Sequence, residues 1–453
     1  MSQHHFSRRN FIKTTSLALP LVAAGCAVSH RQAARAQDFV TVRQGRFERR
    51  GRPYFYLGAN MWFGCYLGDR KLAGGRARLR RELDRLKLVG VTNVRLLGGS
   101  ESSPLTRSIA RGITRGPHDW DEELLVGLDF CLSEMARRDM TAVMFLSNFW
   151  QWSGGFAQYV SAATGKAIPD PDLPTTGAGD WPGFIKFSAS LYRTPAANDL
   201  YLDFVARLLQ RRNSINGRLY CDDPTIMTWE LANEPRPGTD SEETMKDVPA
   251  FCGWVDATAR FIRERAPRQL VCTGSEGVAG CLNKPEVFVA AHQTAAIDYV
   301  TVHIWLKNWG WLKDPCLSDD FERATARARD HLEMHNALAT DQLHKPLVLE
   351  EFGMPRDHEN YDPSSPTTAR DEYYRRMFQL VVASGRAGRA LQAANFWAWA
   401  GEGRAGEGRA AATTTLMGDP FFEPQGLNSV LDTDHTTLDV IRKFSRMLSS
   451  VPA

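Results

Sequence analysis

The chain has 453 residues, 43% of them hydrophobic and twelve of them Trp, so one domain with a large buried core is expected. Its formal charge is +3, but the first 36 residues hold five basic and no acidic side chains, which leaves −2 on the remainder. This balance gives no sign of a nucleic-acid partner. No later stretch reaches the roughly 18 uninterrupted apolar residues of a membrane span.

The N-terminus has the pattern of an export signal. Ser7–Lys13 contains paired arginines, a short apolar stretch follows, and Ala34-Arg-Ala36 offers small residues for cleavage. We therefore predict that residues 1–36 are a twin-arginine signal and that residues 37–453 form an exported domain, periplasmic or extracellular. A cut before Cys26 is the alternative, and it would leave a lipid anchor at the N-terminus.

The eight cysteines have neither the paired spacing of a zinc site nor the density of a disulfide scaffold. If the signal is removed after Ala36, an odd number remains, so at least one stays unpaired in a monomer, the state that we expect. We expect no metal and no cofactor, and we interpret most of the thiols as small buried hydrophobic groups.

Downstream of the signal, eight strand-like segments alternate with helical patterns that have charged outer faces. The strand-like segments are Tyr54–Met61, Val91–Gly98, Thr141–Asn148, Ile226–Glu234, Leu270–Glu276, Ile297–Trp305, Pro346–Gly353 and Ala394–Ala400. The helical patterns are Ala77–Leu88, Asp121–Arg138, Asn198–Arg212, Ala250–Arg265, Phe321–Leu338, Asp371–Ser384 and Thr436–Leu448. This alternation predicts an α/β fold with a parallel sheet, and eight is the strand number of a (β/α)8 TIM barrel. Trp150–Pro195 and Gly401–Leu427, rich in Gly, Pro and Ala, are predicted to be loops at the active-site face.

Two of these strands end in glutamate. Ile226–Pro235 and Pro346–Gly353 each begin with an apolar run too short for an amphipathic helix, as in strands buried on both faces. A barrel of such strands has its active site at their C-terminal ends, so Glu234 and Glu351 are predicted to face each other across one cleft. Glycoside hydrolysis needs two such carboxyls, one protonated and one ionised. The alternative is that a strand ends in Glu without any catalytic role.

The residues around the two glutamates favour catalysis. Asn233-Glu234-Pro235 and Glu351-Phe352-Gly353, in this order, resemble the acid/base and nucleophile motifs of the retaining (β/α)8-barrel glycosidase clan, and within it of glycoside hydrolase family 5. The likeness is greatest to the endo-β-1,4-mannanase subfamily. It rests on Tyr220–Arg236, Leu146–Gly155 and Asn395–Trp397, and it extends over roughly residues 39–448.

The resemblance implies double displacement with retention. Glu351 would attack the anomeric carbon while Glu234 protonates the leaving oxygen and later deprotonates water. The two carboxyls should then lie about 5 to 5.5 Å apart, against about 6.5 to 9.5 Å in an inverting enzyme. Of the neighbouring acids, Glu350 should face away from the cleft because strand residues alternate, and Glu230 should lie on the same side as Glu234 but deeper.

Arg95 and Asn233 are the first supporting residues that we predict. Arg95 is a charge inside an apolar strand, so it needs a buried anionic partner such as Glu351, which it would keep ionised. A purely structural ion pair is the alternative. Asn233 could hydrogen-bond the sugar 2-hydroxyl, as the resemblance implies, or cap a following helix.

His303 and Trp305 end the sixth strand. A lone His is commonly a satisfied core residue, but family members place a His here, followed two residues later by an aromatic, often a Tyr that contacts the nucleophile. This chain has Trp305 instead, so we predict that its indole binds substrate or Glu351 in place of that hydroxyl.

Several tryptophans follow predicted strand ends, where indole faces suit the apolar face of a pyranose ring. Core packing is the alternative for each. We predict that Trp397 forms the floor of the subsite for the cleaved sugar, because family members have a Trp near the end of strand eight. Trp62, Trp150 and Asn148 are further predicted substrate-binding residues.

The resemblance implies β-mannan, galactomannan or glucomannan as the substrate and endo attack as the mode. A β-1,4-glucanase (cellulase) and an exo-β-mannosidase remain alternatives, because mannose differs from glucose only in its axial 2-hydroxyl. A catalytically silent carbohydrate-binding barrel is a further one.

Overall fold

The structure is a computed structural model that describes residues 38–172, 179–405, 416–420 and 423–451. Every described residue belongs to one compact unit, Ala34–Ala453. The predicted signal, residues 1–36, lies outside the described residues and stays a prediction.

Eight parallel strands form one sheet, as predicted. They are β1 Tyr56–Asn60, β2 Asn93–Leu97, β3 Thr141–Phe145, β4 Ile226–Glu230, β5 Leu270–Cys272, β6 Val300–Ile304, β7 Leu347–Phe352 and β8 Leu391–Phe396. Their order in the sheet is β5-β4-β3-β2-β1-β8-β7-β6. Hydrogen bonds from Asp298 N to Val271 O (2.9 Å) and from His303 N to Glu276 O (3.3 Å) join the two ends of this order. The sheet therefore closes into a barrel.

Continuous burial explains these strands, because every residue of all eight is buried. The N-terminal end of the barrel is filled by inward side chains, including Tyr56, Met227 and Tyr299. An antiparallel hairpin, Val40–Arg43 with Arg46–Arg49, covers that end and inserts Phe47 against Tyr299, with ring centroids 5.2 Å apart. The other end is thereby left for the site.

Three strands end four residues earlier than predicted: β4 at Glu230, β5 at Cys272 and β8 at Phe396. Beyond β4, Asn233 N still bonds to Ser147 O and Glu234 N to Gly274 O, so both residues lie against the ends of the neighbouring strands. β8 begins at Leu391 instead of Ala394. Gln392 interrupts its apolar run, but that side chain is buried and bonded to Phe47 N at 2.9 Å.

The described helices are α1 Gly64–Gly68, α2 Gly75–Leu88, α3 Glu122–Arg137, α4 Phe156–Thr164, α5 Trp181–Ala189, α6 Pro195–Leu209, α7 Val248–Arg265, α8 Pro285–His292, α9 Asp319–Ala337, α10 Thr368–Arg386 and α11 His435–Ser449. None of them combines the length and hydropathy of a membrane span. The seven predicted helices are present, whereas the prediction of a continuous loop over 150–195 was wrong. α4 and α5 lie there, and Asp180 caps α5 through Gly183 N at 2.9 Å.

Asp434, at the start of α11, joins this last helix to the segments that follow β7. Its buried carboxylate accepts hydrogen bonds from Arg356 and from Arg370, the latter at 3.1 Å. Asp434→Ala would leave two buried guanidinium groups without their anion, so we expect the free energy of unfolding to fall by about 3–5 kcal/mol.

Urea unfolding followed by circular dichroism measures this loss, and Asp439→Ala on the same helix is the matched control. Asp439 pairs with Arg442 but its side chain is 71% exposed, so its removal should change stability little. Equal stabilities of the two variants would contradict the structural role given to Asp434.

Candidate active site

Glu351 and Glu234 face each other at the C-terminal end of the barrel. Glu351 lies within β7, and Glu234 follows β4 with a left-handed backbone, φ 52°. A non-glycine residue in that conformation is strained, and a hydrogen bond from Glu234 N to Gly274 O at 2.8 Å holds it. One oxygen of each carboxylate lies within 4.8 Å of the other. Both residues line a cleft of about 290 Å³.

His303 connects the two carboxylates from below. Its Nδ1 is 2.7 Å from Glu234 Oε1 and 3.4 Å from Glu351 Oε2. The indole N–H of Trp150 donates to the other oxygen of Glu234 at 2.5 Å. Glu234 is therefore held by two donors from two different strand ends.

These contacts set the protonation of the site. Burial disfavours the imidazolium of His303, but the charges and hydrogen bonds of Glu351, Glu234 and Glu350 raise its pKa to about 10. Burial likewise disfavours ionised Glu234, but the hydrogen bond and charge of His303 lower its pKa below the usual value. At neutral pH His303 is therefore protonated and Glu234 is ionised, and the imidazolium Nδ1–H is held against Glu234 Oε1.

Arg95 lies beneath the cleft with no exposed surface. It donates to Glu351, the predicted partner, and also to Asn60 Oδ1 at 3.0 Å. It further makes a bidentate pair with Glu230, at 2.9 and 2.6 Å, and donates to Asn233 Oδ1 at 2.7 Å. The sequence pointed to one carboxylate partner, whereas the structure gives Arg95 two.

Glu351 is not kept ionised as simply as the sequence suggested. Burial raises its pKa to about 7, although the charges of His303 and Arg95 act in the opposite direction. Burial and Glu350 also raise the pKa of Glu230, to about 8, against the charge of Arg95. Four carboxyl groups thus share two cations inside the barrel.

Glu350 does not line the cleft, in agreement with the prediction, but it is turned toward the inside of the barrel below the cleft. A bulge between β6 and β7 pairs Val302 with Leu349 and then His303 with Glu351, so Glu350 is the extra residue. Its carboxylate points inward, 3.7 Å from Arg95 Nε and 3.6 Å from His303 Nε2. Only Glu351 of the two lines the cleft.

Four of the eight other predicted residues line the cleft. Asn233, Trp305, Trp397 and Trp150 line the cleft beside the glutamates. Trp305 packs edge-on against Trp397, with ring centroids 5.9 Å apart. The buried indole Nε1 of Trp397 has no hydrogen-bond partner among the described residues, so it is a free donor at the cleft. Asn233 donates to Asn148 instead of capping a helix.

Four predicted residues do not line this cleft. Arg95 and His303 lie below it, and Asn148 is buried and bonded to Asn233 at 3.1 Å. Trp62 is 1% exposed and donates to Gly418 O at 3.0 Å, and its ring lies behind Trp152. The sequence interpretation of Trp62 as a sugar contact was wrong for this cleft, because the indole is used in packing two loops.

Sequence reasoning missed several cleft residues that lie in loops. Glu423, after β8, and Asn308, after β6, line the same cleft as the catalytic pair. Burial together with the charge of Asp419 raises the pKa of Glu423 to about 8. Arg236 pairs with Glu276 at another wall. Arg236 stands in the motif that also holds Glu234, and Glu276 ends a predicted strand, so both had a signal. Glu423 and Asn308 had none.

Three groups of side chains within the described residues lie close enough to ligate a metal ion. The groups are Glu234, His303 and Glu351; Glu230, Cys272 and Glu350; and Asp314, Cys316 and His358. In the first group, which lies at the cleft, the imidazole of His303 donates a hydrogen bond to Glu234, and this arrangement suits proton transfer more than metal ligation.

Comparison with known proteins places this geometry in a family. The family described as GH family 5 beta-mannosidase-like matches residues 37–452. Mannan endo-1,4-beta-mannosidase 7 from Arabidopsis thaliana is 26% identical over 91% of this chain and 86% of its own.

Solved structures agree with this placement. The glycoside hydrolase family 5 mannosidase from Rhizomucor miehei is 35% identical, with a TM-score of 0.82 over 92% of this chain and 99% of its own. A mutant of that enzyme, 36% identical with the same TM-score and coverage, was solved in complex with mannosyl-fructose. The chain belongs to glycoside hydrolase family 5.

Proposed function

We propose that this protein is a retaining glycoside hydrolase that cleaves β-1,4-mannosidic bonds in mannan, galactomannan or glucomannan. The observation that carries the mechanism is the distance between Glu234 and Glu351, whose carboxylate oxygens approach within 4.8 Å. Oxygens this close suit the carboxyls of a retaining enzyme, about 5 to 5.5 Å apart, better than the separation of about 6.5 to 9.5 Å that leaves room for a water in an inverting enzyme. The spacing suits direct attack by a carboxylate on the sugar.

The contacts of each glutamate assign its role. Glu351 is held by Arg95 from the side opposite the cleft, which fixes the carboxylate for attack on the anomeric carbon. Glu234 accepts hydrogen bonds from protonated His303 and from the indole N–H of Trp150. The proton held by His303 can pass through Glu234 to the leaving oxygen, and Glu234 can later accept a proton from water and return it to His303. The bond between the sugar and the leaving oxygen breaks as the bond between Glu351 and the sugar forms. A water then attacks the sugar, and the bond to Glu351 breaks.

The relatives support mannan as the substrate. The plant relative is named a mannan endo-1,4-beta-mannosidase, and the fungal neighbour a mannosidase whose mutant was solved with mannosyl-fructose. The wall tryptophans supply apolar faces for pyranose rings. Endo attack is the mode that the plant relative supports.

Exo-β-mannosidase activity is a second candidate. The structural neighbour at 35% identity is named a mannosidase. Moreover, Glu423 and Asn308 stand at one wall of the small cleft, where they would hydrogen-bond the hydroxyls of a terminal sugar.

The substrates and product sizes distinguish these functions. Purified protein should be incubated with galactomannan, linear mannan, soluble cellulose and mannopentaose, and early products should be separated by length. Mixed oligosaccharides from the polymers would establish endo attack, and mannose released alone would establish the exo candidate. Cleavage of cellulose alone would refute mannan specificity, and binding without cleavage would establish the silent barrel.

The pH dependence of hydrolysis follows from the raised pKa of Glu351. A carboxyl whose pKa is raised to about 7 carries a proton below that pH and cannot attack, so kcat/KM should fall as the pH drops through about 7. The alkaline limb should lie well above neutrality, because the pKa of His303 is raised to about 10. Initial rates on a soluble substrate at constant ionic strength measure the profile. Full activity at about pH 5, more than a unit below this pKa, would contradict this protonation scheme.

We further propose that the protein is exported as a folded monomer by the twin-arginine route. The paired arginines of Ser7–Lys13 and the small residues at Ala34-Arg-Ala36 support this. Mass spectrometry of the mature N-terminus tests it: a start at Gln37 agrees with release, and an acylated Cys26 would establish a lipid-anchored form instead.

A further inference from the structure

A second cavity of about 570 Å³ continues the catalytic cleft. The two spaces share three residues, Arg236, Glu276 and Trp309, which form the boundary between them. The second cavity, here called the distal platform, is lined beyond this boundary mainly by Trp311, Arg327, Asp240, Asn283 and His331. Its volume lies within the range of about 300–1,000 Å³ that is usual for ligand sites.

The distal platform lies on the side of the leaving group. Glu234 is the residue that would protonate the leaving oxygen, so the departing sugars lie beyond Glu234 as seen from Glu351. Arg236 follows Glu234 by two residues, and its guanidinium lies 4.8 Å from the ring of Trp150, whose N–H donates to Glu234. The boundary of the platform is therefore attached to the acid side of the catalytic pair.

The aromatic part of the platform is held rigidly. Trp309 N bonds to Trp305 O at 2.9 Å and Trp311 N to Leu306 O at 2.8 Å, so a compact turn directly after β6 presents both rings. The ring centroids of Trp309 and Trp311 are 4.9 Å apart, and His331 of α9 packs against them at 5.5 and 5.6 Å. A ligand that packs on these rings orders little that is not already ordered.

The polar part of the platform suits an uncharged ligand. Arg327 stacks on one face of the Trp311 ring at 4.1 Å, so its N–H donors lie beside the pair of aromatic rings. Asn283 donates to Asp240 at 3.2 Å on the opposite side. The lining combines Arg236 and Arg327 with Asp240, Asp330 and Glu276, a mixture of both signs with donors and acceptors. Such a mixture matches a polyhydroxylated chain and offers no field of one sign for a charged partner.

We propose that the distal platform binds the leaving-group end of the β-mannan chain, and that Trp311 and Arg327 set the dependence of the rate on chain length. The inference rests on the proposed function and extends it to residues that do not touch the reacting atoms. Sugars near the scissile bond contact the catalytic cleft, and the platform is reached only by sugars farther along the chain.

The test compares kcat/KM on mannobiose, mannotriose, mannotetraose and mannopentaose for the wild type, Trp311→Ala and Arg327→Ala. Trp311→Ala should lower kcat/KM about two- to ten-fold on the longest substrate, as expected for the loss of one aromatic contact, and leave mannobiose unchanged. Arg327→Ala, an exposed position, should act in the same direction. Trp120→Ala is the matched control, because Arg207 covers the Trp120 ring at 4.0 Å outside both cavities.

The outcomes separate this inference from the proposed function. A wild type that hydrolyses none of the four substrates would refute the proposed function and the platform with it. If the wild type is active but both variants show the same dependence of kcat/KM on chain length as the wild type, the inference about the platform is wrong and the proposed function stands. The same holds if Trp120→Ala reduces this dependence equally. If Trp311→Ala melts well below the wild type, Arg327→Ala decides.

Discussion

Replacing Glu351 by Ala is expected to lower kcat by at least about 10³-fold on any β-mannoside that the wild type cleaves. The carboxylate is the group that would bond to the sugar, and neither Glu350 nor Glu230 is placed to replace it. Glu350 is adjacent in sequence but does not line the cleft, and Glu230 is paired with Arg95. Initial rates on a soluble mannan measure the loss, and Glu372→Ala on the outer helix α10 is the control.

Azide provides a sharper version of this experiment. In Glu351→Ala, azide can occupy the vacated space and attack the sugar directly, so a mannosyl azide of inverted, α configuration should form from an activated mannoside. In Glu234→Ala, azide should instead attack the glycosyl-enzyme and give the β product. If Glu351→Ala gave the β azide and Glu234→Ala the α azide, the roles of nucleophile and acid would have to be exchanged. If Glu351→Ala hydrolysed mannan without azide, Glu351 would not be the nucleophile.

Replacing Arg95 should affect both stability and activity. Its buried guanidinium contacts Glu351 and Glu230 and lies 3.7 Å from Glu350, so Arg95→Met would remove one of the two cations that balance the buried carboxyl groups and leave His303 alone among them. We expect the free energy of unfolding to fall by about 3–5 kcal/mol. We also expect kcat to fall at least about 100-fold, because the carboxylate that attacks would lose its orienting donor and take up a proton more readily.

Arg95→Lys separates charge from geometry. Lysine keeps the positive charge but cannot make the fork of hydrogen bonds to Glu230 and Asn233, so stability should recover in part while kcat stays low. Arg115→Met is the surface control, since Arg115 and its partner Asp119 are both more than half exposed. Chemical unfolding and kcat are the measurements, and an Arg95→Met protein as stable and active as the wild type would contradict the assigned role.

The barrel could be predicted from the sequence because burial on both faces leaves a direct mark on it. The short, largely apolar runs at 226–229 and 347–349 are too short for an amphipathic helix. A charge inside such a strand, Arg95, requires a buried partner. Residues fixed to these strands, among them Glu351 and Trp397, therefore lie at the predicted end of the barrel.

The parts that could not be predicted depend on contacts between distant segments. A bulge in β7 turns Glu350 inward, and no local pattern encodes that bulge. Glu423 and Asn308 reach the cleft through the course of two long loops. The helices α4 and α5 stand among Gly and Pro residues that suggested a loop. Trp62 is an aromatic residue near a strand end, as a sugar contact would be, but it packs between loops.

The stereochemistry of the first product tests the central claim most directly. Proton nuclear magnetic resonance during hydrolysis of a manno-oligosaccharide by a high concentration of enzyme records the anomer before mutarotation mixes the two forms. Double displacement by Glu351 and Glu234 predicts that the β-anomer accumulates first and the α-anomer appears later. Initial release of the α-anomer would show single displacement by water and would contradict the mechanism drawn from the close approach of the two carboxylates.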